Sequence, residues 1–152
     1  MKKLLLLLAV FLLIPLPNAN AANQIIITGK PVYEYGGKLL KNTFEADLAP
    51  TGVIGEKIFS TPPAPRNWVI DAAFIDEVVQ YQQDENSQVA LNWINQLKRA
   101  AGNEPIFALA YGNPDLKLLK KIAPNELSFY YDYGQSSLAK FFLTVSSEIL
   151  SL

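Results

Sequence analysis

Asn67-Trp68-Val69-Ile70-Asp71, continued by Ala72-Ala73-Phe74-Ile75-Asp76-Glu77-Val78-Val79, is the stretch on which the fold turns. Its first five residues are a compact apolar run closed by a carboxylate, which reads as a buried strand. Behind it, Phe74, Ile75, Val78 and Val79 recur at helical spacing, so a strand hands the chain directly to a helix. Polar residues 82–86 read as a loop. A longer helix follows over residues 87–101, with Ala90, Trp93, Ile94, Leu97 and Ala101 on one face and Asn92, Gln96 and Arg99 on the other. Gly102 and Asn103 stop it, since both tolerate left-handed backbone.

The alternation continues downstream. Residues 105–111 form a second apolar run, and Gly112-Asn113-Pro114-Asp115 turns it into a helix ending near Ile122. There Asn113 is placed as N-cap, Pro114 as first helical residue, and Asp115 at the positive end of the helix dipole. Residues 127–131 read as a third strand. Residues 136–150 read as a final helix that turns Leu138, Phe141, Phe142, Val145 and Ile149 inward. Upstream, residues 24–28 are a β-branched run that reads as another strand, and Gly36-Gly37 between apolar flanks signals a hairpin over residues 33–40. Residues 48–60 are ambiguous, with one short helix after Pro50, and Pro62, Pro63 and Pro65 make a stiff connector. The expected class is α/β, with three or four mostly parallel strands alternating with helices, resembling a partial (β/α) barrel.

Residues 1–21 have a different character. Lys2 and Lys3 precede the unbroken apolar run 4–14. Pro15 and Pro17 break it, and Ala19-Asn20-Ala21 supplies a small-x-small tripeptide. This is the pattern of a secretory signal peptide, too short to span a bilayer, so an extracellular or cell-envelope location without a stable transmembrane anchor is expected. Cleavage after Ala21 leaves roughly 130 residues, one domain: residues 22–66 supply the first strand, hairpin and connector, and 67–152 the βα units. Losing Lys2 and Lys3 takes the basic count from 13 to 11 against 14 acidic residues, a charge of −3. No basic cluster suggests nucleic acid.

Cysteine and histidine are both absent. That excludes a disulfide framework, a thiol nucleophile, Ser-His-Asp catalysis and the usual catalytic zinc sites. Acid–base chemistry is left to carboxylates, lysine and tyrosine. No EF-hand-type loop occurs, and neither a metal nor another cofactor is expected.

Three segments taken together, residues 68–76, 93–99 and 107–115, resemble a family of large secreted, membrane-anchored actinobacterial envelope proteins of unknown function. The motifs carrying the likeness are a tryptophan-led strand ending in Asp71 and an apolar strand ending in the Tyr111-Gly112-Asn113-Pro114-Asp115 turn. The likeness spans about residues 48–134 and departs from the family pattern at Ala72 and Ala110, where prolines are expected. It implies an envelope setting and the opening of a glycosidase- or deacetylase-like (β/α) barrel, in a short or truncated relative. It implies no catalytic residue.

In parallel α/β folds, ligands bind beyond the carboxyl ends of the strands. Asp71, Tyr111, Asn113, Asp132 and Tyr133 would fall along that edge, and aromatic faces beside carboxylates and amides suit a sugar. Each has a plainer reading, which is favoured. Asp71 caps the following helix, Asn113 and Asp115 start another, and Tyr130, Tyr131 and Tyr133 are core and rim aromatics. Asp76 and Glu77 lie on a solvated face. A glycosidase needs carboxylates about 5–5.5 Å apart for retention or about 6.5–9.5 Å for inversion. Asp71 and Asp132, on strands one removed, would stand roughly 10 Å apart. The favoured function is therefore a secreted, non-catalytic envelope protein binding cell-wall glycan or another envelope protein. The alternative is a carbohydrate-active hydrolase using Asp71 and Asp132. An unpaired sheet edge also leads to the expectation that the mature domain self-associates or is marginally stable alone.

Overall fold

The computed structural model of the protein describes residues 22–29, 41–143 and 145–147. The signal segment, the hairpin over residues 33–40 and Ile149 lie outside the described residues. In chain order the elements are β1 (Asn23–Ile27), α1 (Lys41–Leu48), α2 (Glu56–Phe59), β2 (Arg66–Ile70), α3 (Ala72–Glu85), α4 (Gln88–Ala101), β3 (Ile106–Ala108), α5 (Leu116–Ile122), a 3-10 turn (Pro124–Glu126) and α6 (Leu127–Phe141). The three strands form one parallel sheet in the order β1-β2-β3, so the α/β class with helical crossovers holds.

Register places Ile25 beside Trp68 and Ile27 beside Ile70. On the far side of β2, Trp68 sits beside Ile106 and Ile70 beside Ala108. These six side chains share one face and form a single core with Phe44, Ile58, Phe74, Val78, Trp93 and Leu97 from the helices. Sequential order and helices packed on one face are what crossovers of uniform hand produce, and a barrel begins this way. Val69 points to the opposite face between Ile26 and Phe107, and is itself fully buried. A central strand buried on both faces has no use for polar alternation, which is why residues 68–70 are unbroken apolar sequence. Edge-to-face rings knit the helices of that layer to one another: Phe44 of α1 meets Phe74 at 6.1 Å and Tyr81 at 5.0 Å, both of α3, and Phe74 meets Trp93 of α4 at 5.7 Å.

Several boundaries differ from the sequence expectation. Residues 82–85 continue α3 instead of looping; polarity alone does not end a helix, and the stop comes at Asn86, whose φ of 49° is left-handed. Ser87 then caps α4, its Oγ accepting from the Ala90 N–H at 3.3 Å and donating to Glu45 Oε1 at 2.6 Å. The one short helix expected after Pro50 is α2, and α1 precedes it over a stretch that carried no helix expectation. The largest correction concerns residues 127–131, expected as a third strand: they are the first turns of α6. The third strand of the sheet is β3, and the N-terminal run supplies β1. The final helix ends at Phe141, and the segment after it folds back so that the Ser146 N–H donates to Ile106 O at 2.7 Å. Gln135 Nε2 donates to Ser146 O at 2.9 Å, which holds that segment against the outer edge of β3. The outer edge of β1 is met by Lys57, whose Nζ donates to Ile26 O at 2.8 Å. A lysine at an edge discourages addition of a further strand. Among the described residues, no helix is long and apolar enough to cross a membrane.

Candidate functional site at the carboxyl edge of the sheet

β2 and β3 run parallel, so their carboxyl ends open on the same side, with Asp71 after one and Tyr111 after the other. Asp71 is the N-cap of α3. Its Oδ1 accepts from the Ala73 N–H at 3.0 Å and also from the Gly112 N–H at 2.9 Å, so one oxygen joins the turns following two strands. The helix-cap reading of Asp71 is therefore correct, with a second bond that spacing did not suggest. The turn that supplies Gly112 has positive φ at two successive residues, 74° at Gly112 and 42° at Asn113, and the Asn113 N–H donates to Ala110 O. That conformation uses up Asn113 in the turn, and capping of α5 passes to Asp115. Asp115 Oδ1 accepts from the N–H groups of Lys117 and Leu118, each at 3.0 Å. Asn113 is thus not the N-cap, and its side chain is exposed.

Tyr111 reaches from the β3 exit across to α3, donating its hydroxyl to Asp76 Oδ2 at 3.0 Å. Ser137 of α6 donates to the same carboxylate, at 3.0 Å to Oδ2 and 3.2 Å to Oδ1. Asp76 therefore ties α3, the β3 exit and α6 together, although its position opposite the apolar stripe reads in the sequence as mere solvated surface. The Tyr111 ring meets Tyr133 edge-to-face at 4.7 Å. Tyr133 stacks on Phe129 at 5.7 Å and an interplanar angle of 20°, and Tyr130 closes on Phe129 at 5.9 Å. Phe129 is 61% and Tyr133 43% exposed, so the stacked pair is an aromatic surface open to solvent.

Asp132 stands apart. With 127–131 helical, it lies on the face of α6 opposite Gly134, Ser137 and Leu138, the buried residues of that helix, and it is exposed. The site gathers Asp71, Tyr111 and Tyr133 among the expected residues and adds Asp76, Ser137 and Phe129. Tyr130, Tyr133 and Ser137 share a helical face at i, i+3 and i+7, a signal that becomes readable once residues 127–131 are helical. Among the described residues, no group of three or more carboxylates converges as a cation site.

Burial raises the pKa of both Asp71 and Tyr111. Burial foremost, then the hydrogen bond to Asp76, raises the Tyr111 phenol to about 12, so it stays a neutral donor at physiological pH. Asp71 is 5% exposed, and burial raises its carboxyl above the ordinary 3.8, opposed by the Gly112 and Ala73 N–H groups and assisted by the charge of Asp76. Between 3.8 and the raised value, the folded protein holds a proton that the unfolded chain has released. Stability from this group is therefore complete below 3.8 and declines as pH rises through the folded value. Both backbone bonds fall on Oδ1, an oxygen that asparagine also offers. Asp71→Asn should thus be nearly neutral at pH 7 and should flatten this pH dependence, whereas Asp71→Ala should cost about 1–2 kcal/mol. Urea midpoints from about pH 4 to about pH 8 for the three proteins check this. Equal losses in the two variants would refute it.

No family model, curated protein or solved structure matches this chain.

Proposed function

We propose that the protein is an exported, non-catalytic module of the cell envelope that binds cell-wall glycan through the exposed Phe129–Tyr133 surface. The observation that carries this is a stacked aromatic pair left open to solvent while the polar groups behind it are engaged with one another. Sugar rings present a C–H face to an aromatic ring, and a stacked pair open to solvent offers such a ring. The export pattern of residues 1–21 and the likeness to envelope proteins agree with that setting. Hydrolysis by paired carboxylates loses its support, because Asp71 caps its own helix and Asp132 lies on the far face of α6.

Calorimetric titration of residues 22–152 with solubilised cell-wall glycan tests the reading. Phe129→Ala and Tyr133→Ala should each weaken binding by about 1–2 kcal/mol, roughly 5- to 30-fold. Asp132→Asn should leave affinity unchanged, and no variant should alter glycan chain length. Full affinity in both alanine variants, or glycan cleavage lost in Asp132→Asn, would reverse the conclusion.

A further inference from the structure

On the helical side of the molecule, α4 presents Asn92, Asn95, Gln96 and Arg99 at i, i+3, i+4 and i+7, one continuous stripe. These four line one wall of an open groove of about 350 Å³, with Phe59 and Val89 contributing apolar surface. Gln96 is fixed by its Nε2 donating to Ile58 O at 3.3 Å, and its Oε1 accepts from Arg99 Nη1 at 3.2 Å. The relay from the α2 backbone through Gln96 holds the guanidinium in place. Among the described residues it engages only Nη1, which leaves the Nε–Nη2 edge, the fork that grips a carboxylate with two parallel bonds. The neighbouring Lys98 is turned elsewhere, its Nζ 4.3 Å from the centre of the Phe141 ring. Arg99 is thus the single charge of the groove wall, and no carboxylate lines it among the described residues.

The dimensions specify a ligand class. From Asn92 to Arg99, seven residues at about 1.5 Å each span about 10 Å along the helix. Three residues of extended peptide cover about the same distance, at roughly 3.3 Å each. Asn92 and Asn95 each offer a donor and an acceptor, matching the N–H and C=O of a peptide backbone. Phe59 and Val89 give its side chains an apolar surface. We infer that this groove binds the last three residues of an extended peptide, with the terminal carboxylate on Arg99 and the backbone amides on Asn92 and Asn95. The site is separate from the aromatic surface on α6 and does not depend on the glycan-binding reading.

Calorimetric titration of residues 22–152 with acetyl-Ala-Ala-Ala, as the free acid and as the C-terminal amide, decides it. The acid should bind at least about tenfold more tightly than the amide. Arg99→Gln should erase that preference, and Arg99→Lys should fail to restore it, because an ammonium cannot form the fork. Asn95→Leu should weaken both peptides while keeping the preference for the acid. Arg99 and Asn95 are exposed, so these variants should keep the wild-type circular dichroism spectrum. Phe129→Ala should leave peptide binding unchanged, which separates this site from the glycan surface. Equal binding of acid and amide, a preference that survives Arg99→Gln, or no heat with either peptide up to about 10 mM would overturn the inference.

Discussion

Trp68→Ala should unfold the protein or reduce it to a loosely packed state, with a loss of about 3–5 kcal/mol. A domain of this size has about 5–15 kcal/mol of stability in total. Trp68 is wholly buried in the central strand, packed between Ile25 and Ile106 under the helical layer. Its removal opens a cavity that three strands and their helices cannot close together. The indole also donates from Nε1 to Glu104 Oε2 at 2.7 Å. Glu104 is gripped in turn by Arg66 Nε at 2.8 and 3.0 Å, and Arg66 is steadied by Thr61 Oγ1 at 2.7 Å and Ala100 O at 3.2 Å. The guanidinium carbon lies 5.7 Å from the Trp68 ring centre. This network joins the amino end of β2, the connector before it and the end of α4. Trp93 provides the internal comparison. It is equally buried, but its Nε1 has no hydrogen-bond partner among the described residues. Trp68→Phe should therefore cost about 1.5–3 kcal/mol more than Trp93→Phe, the worth of a hydrogen bond to a charged acceptor. Urea unfolding followed by circular dichroism measures both. A Trp68→Ala protein within about 1 kcal/mol of wild type would mean that this strand is not central.

The features legible in the sequence are those in which local pattern and tertiary environment agree. The 68–70 run reads as a buried strand because the centre of a parallel sheet demands apolar residues on both faces, and α4 reads correctly because its apolar stripe is clean. Residues 127–131 mislead because Leu, Phe and two tyrosines close together satisfy a strand preference. That preference measures fit to a half-buried pleated surface, and here the surface is a helix packed beside the β3 exit. Asn113 misleads because either Asn113 or Asp115 can cap α5. The choice depends on the positive φ values of Gly112 and Asn113, which a one-dimensional pattern does not contain. At the site, Asp71 and Tyr111 are findable from the rule that ligands gather at strand ends. Asp76 is not, because its role depends on Ser137, 61 positions away, on a helix whose first turns read as strand. The early turns of a helix that succeeds a strand nevertheless stand beside the carboxyl edge whichever way their side chains face, and on that ground Asp76 belongs among the candidates.

Gly134→Ala should destabilise the protein by about 1–3 kcal/mol, opposite in sign to what helix preference alone predicts. Alanine is favoured over glycine inside a helix by about 1 kcal/mol. At Gly134, however, a Cβ would lie 2.5 Å from Leu109 O and 3.3 Å from Tyr111 N, both backbone atoms at the β3 exit. Backbone pinned just past the strand, where the Leu109 N–H donates to Ile70 O at 2.9 Å, cannot yield as a flexible side chain can, so α6 must move away. That movement breaks the interactions that build the site: the Tyr111 N–H to Tyr130 O bond at 2.9 Å, the Tyr111–Tyr133 ring pairing and the Ser137 bonds to Asp76. Gly134→Val should be worse on both counts, since its branched side chain adds bulk at the same point. Ser136→Ala, two residues along the same helix and exposed, should be neutral to slightly stabilising, because only helix preference and one local bond to Tyr133 O are at stake. The two alanine variants thus separate propensity from packing within a single helix. Thermal unfolding gives the signs, and glycan titration shows whether the aromatic surface fails when α6 is displaced. A stabilised Gly134→Ala protein would show that α6 does not rest on the β3 exit, and the grouping of Asp76, Tyr111 and Ser137 would go with it.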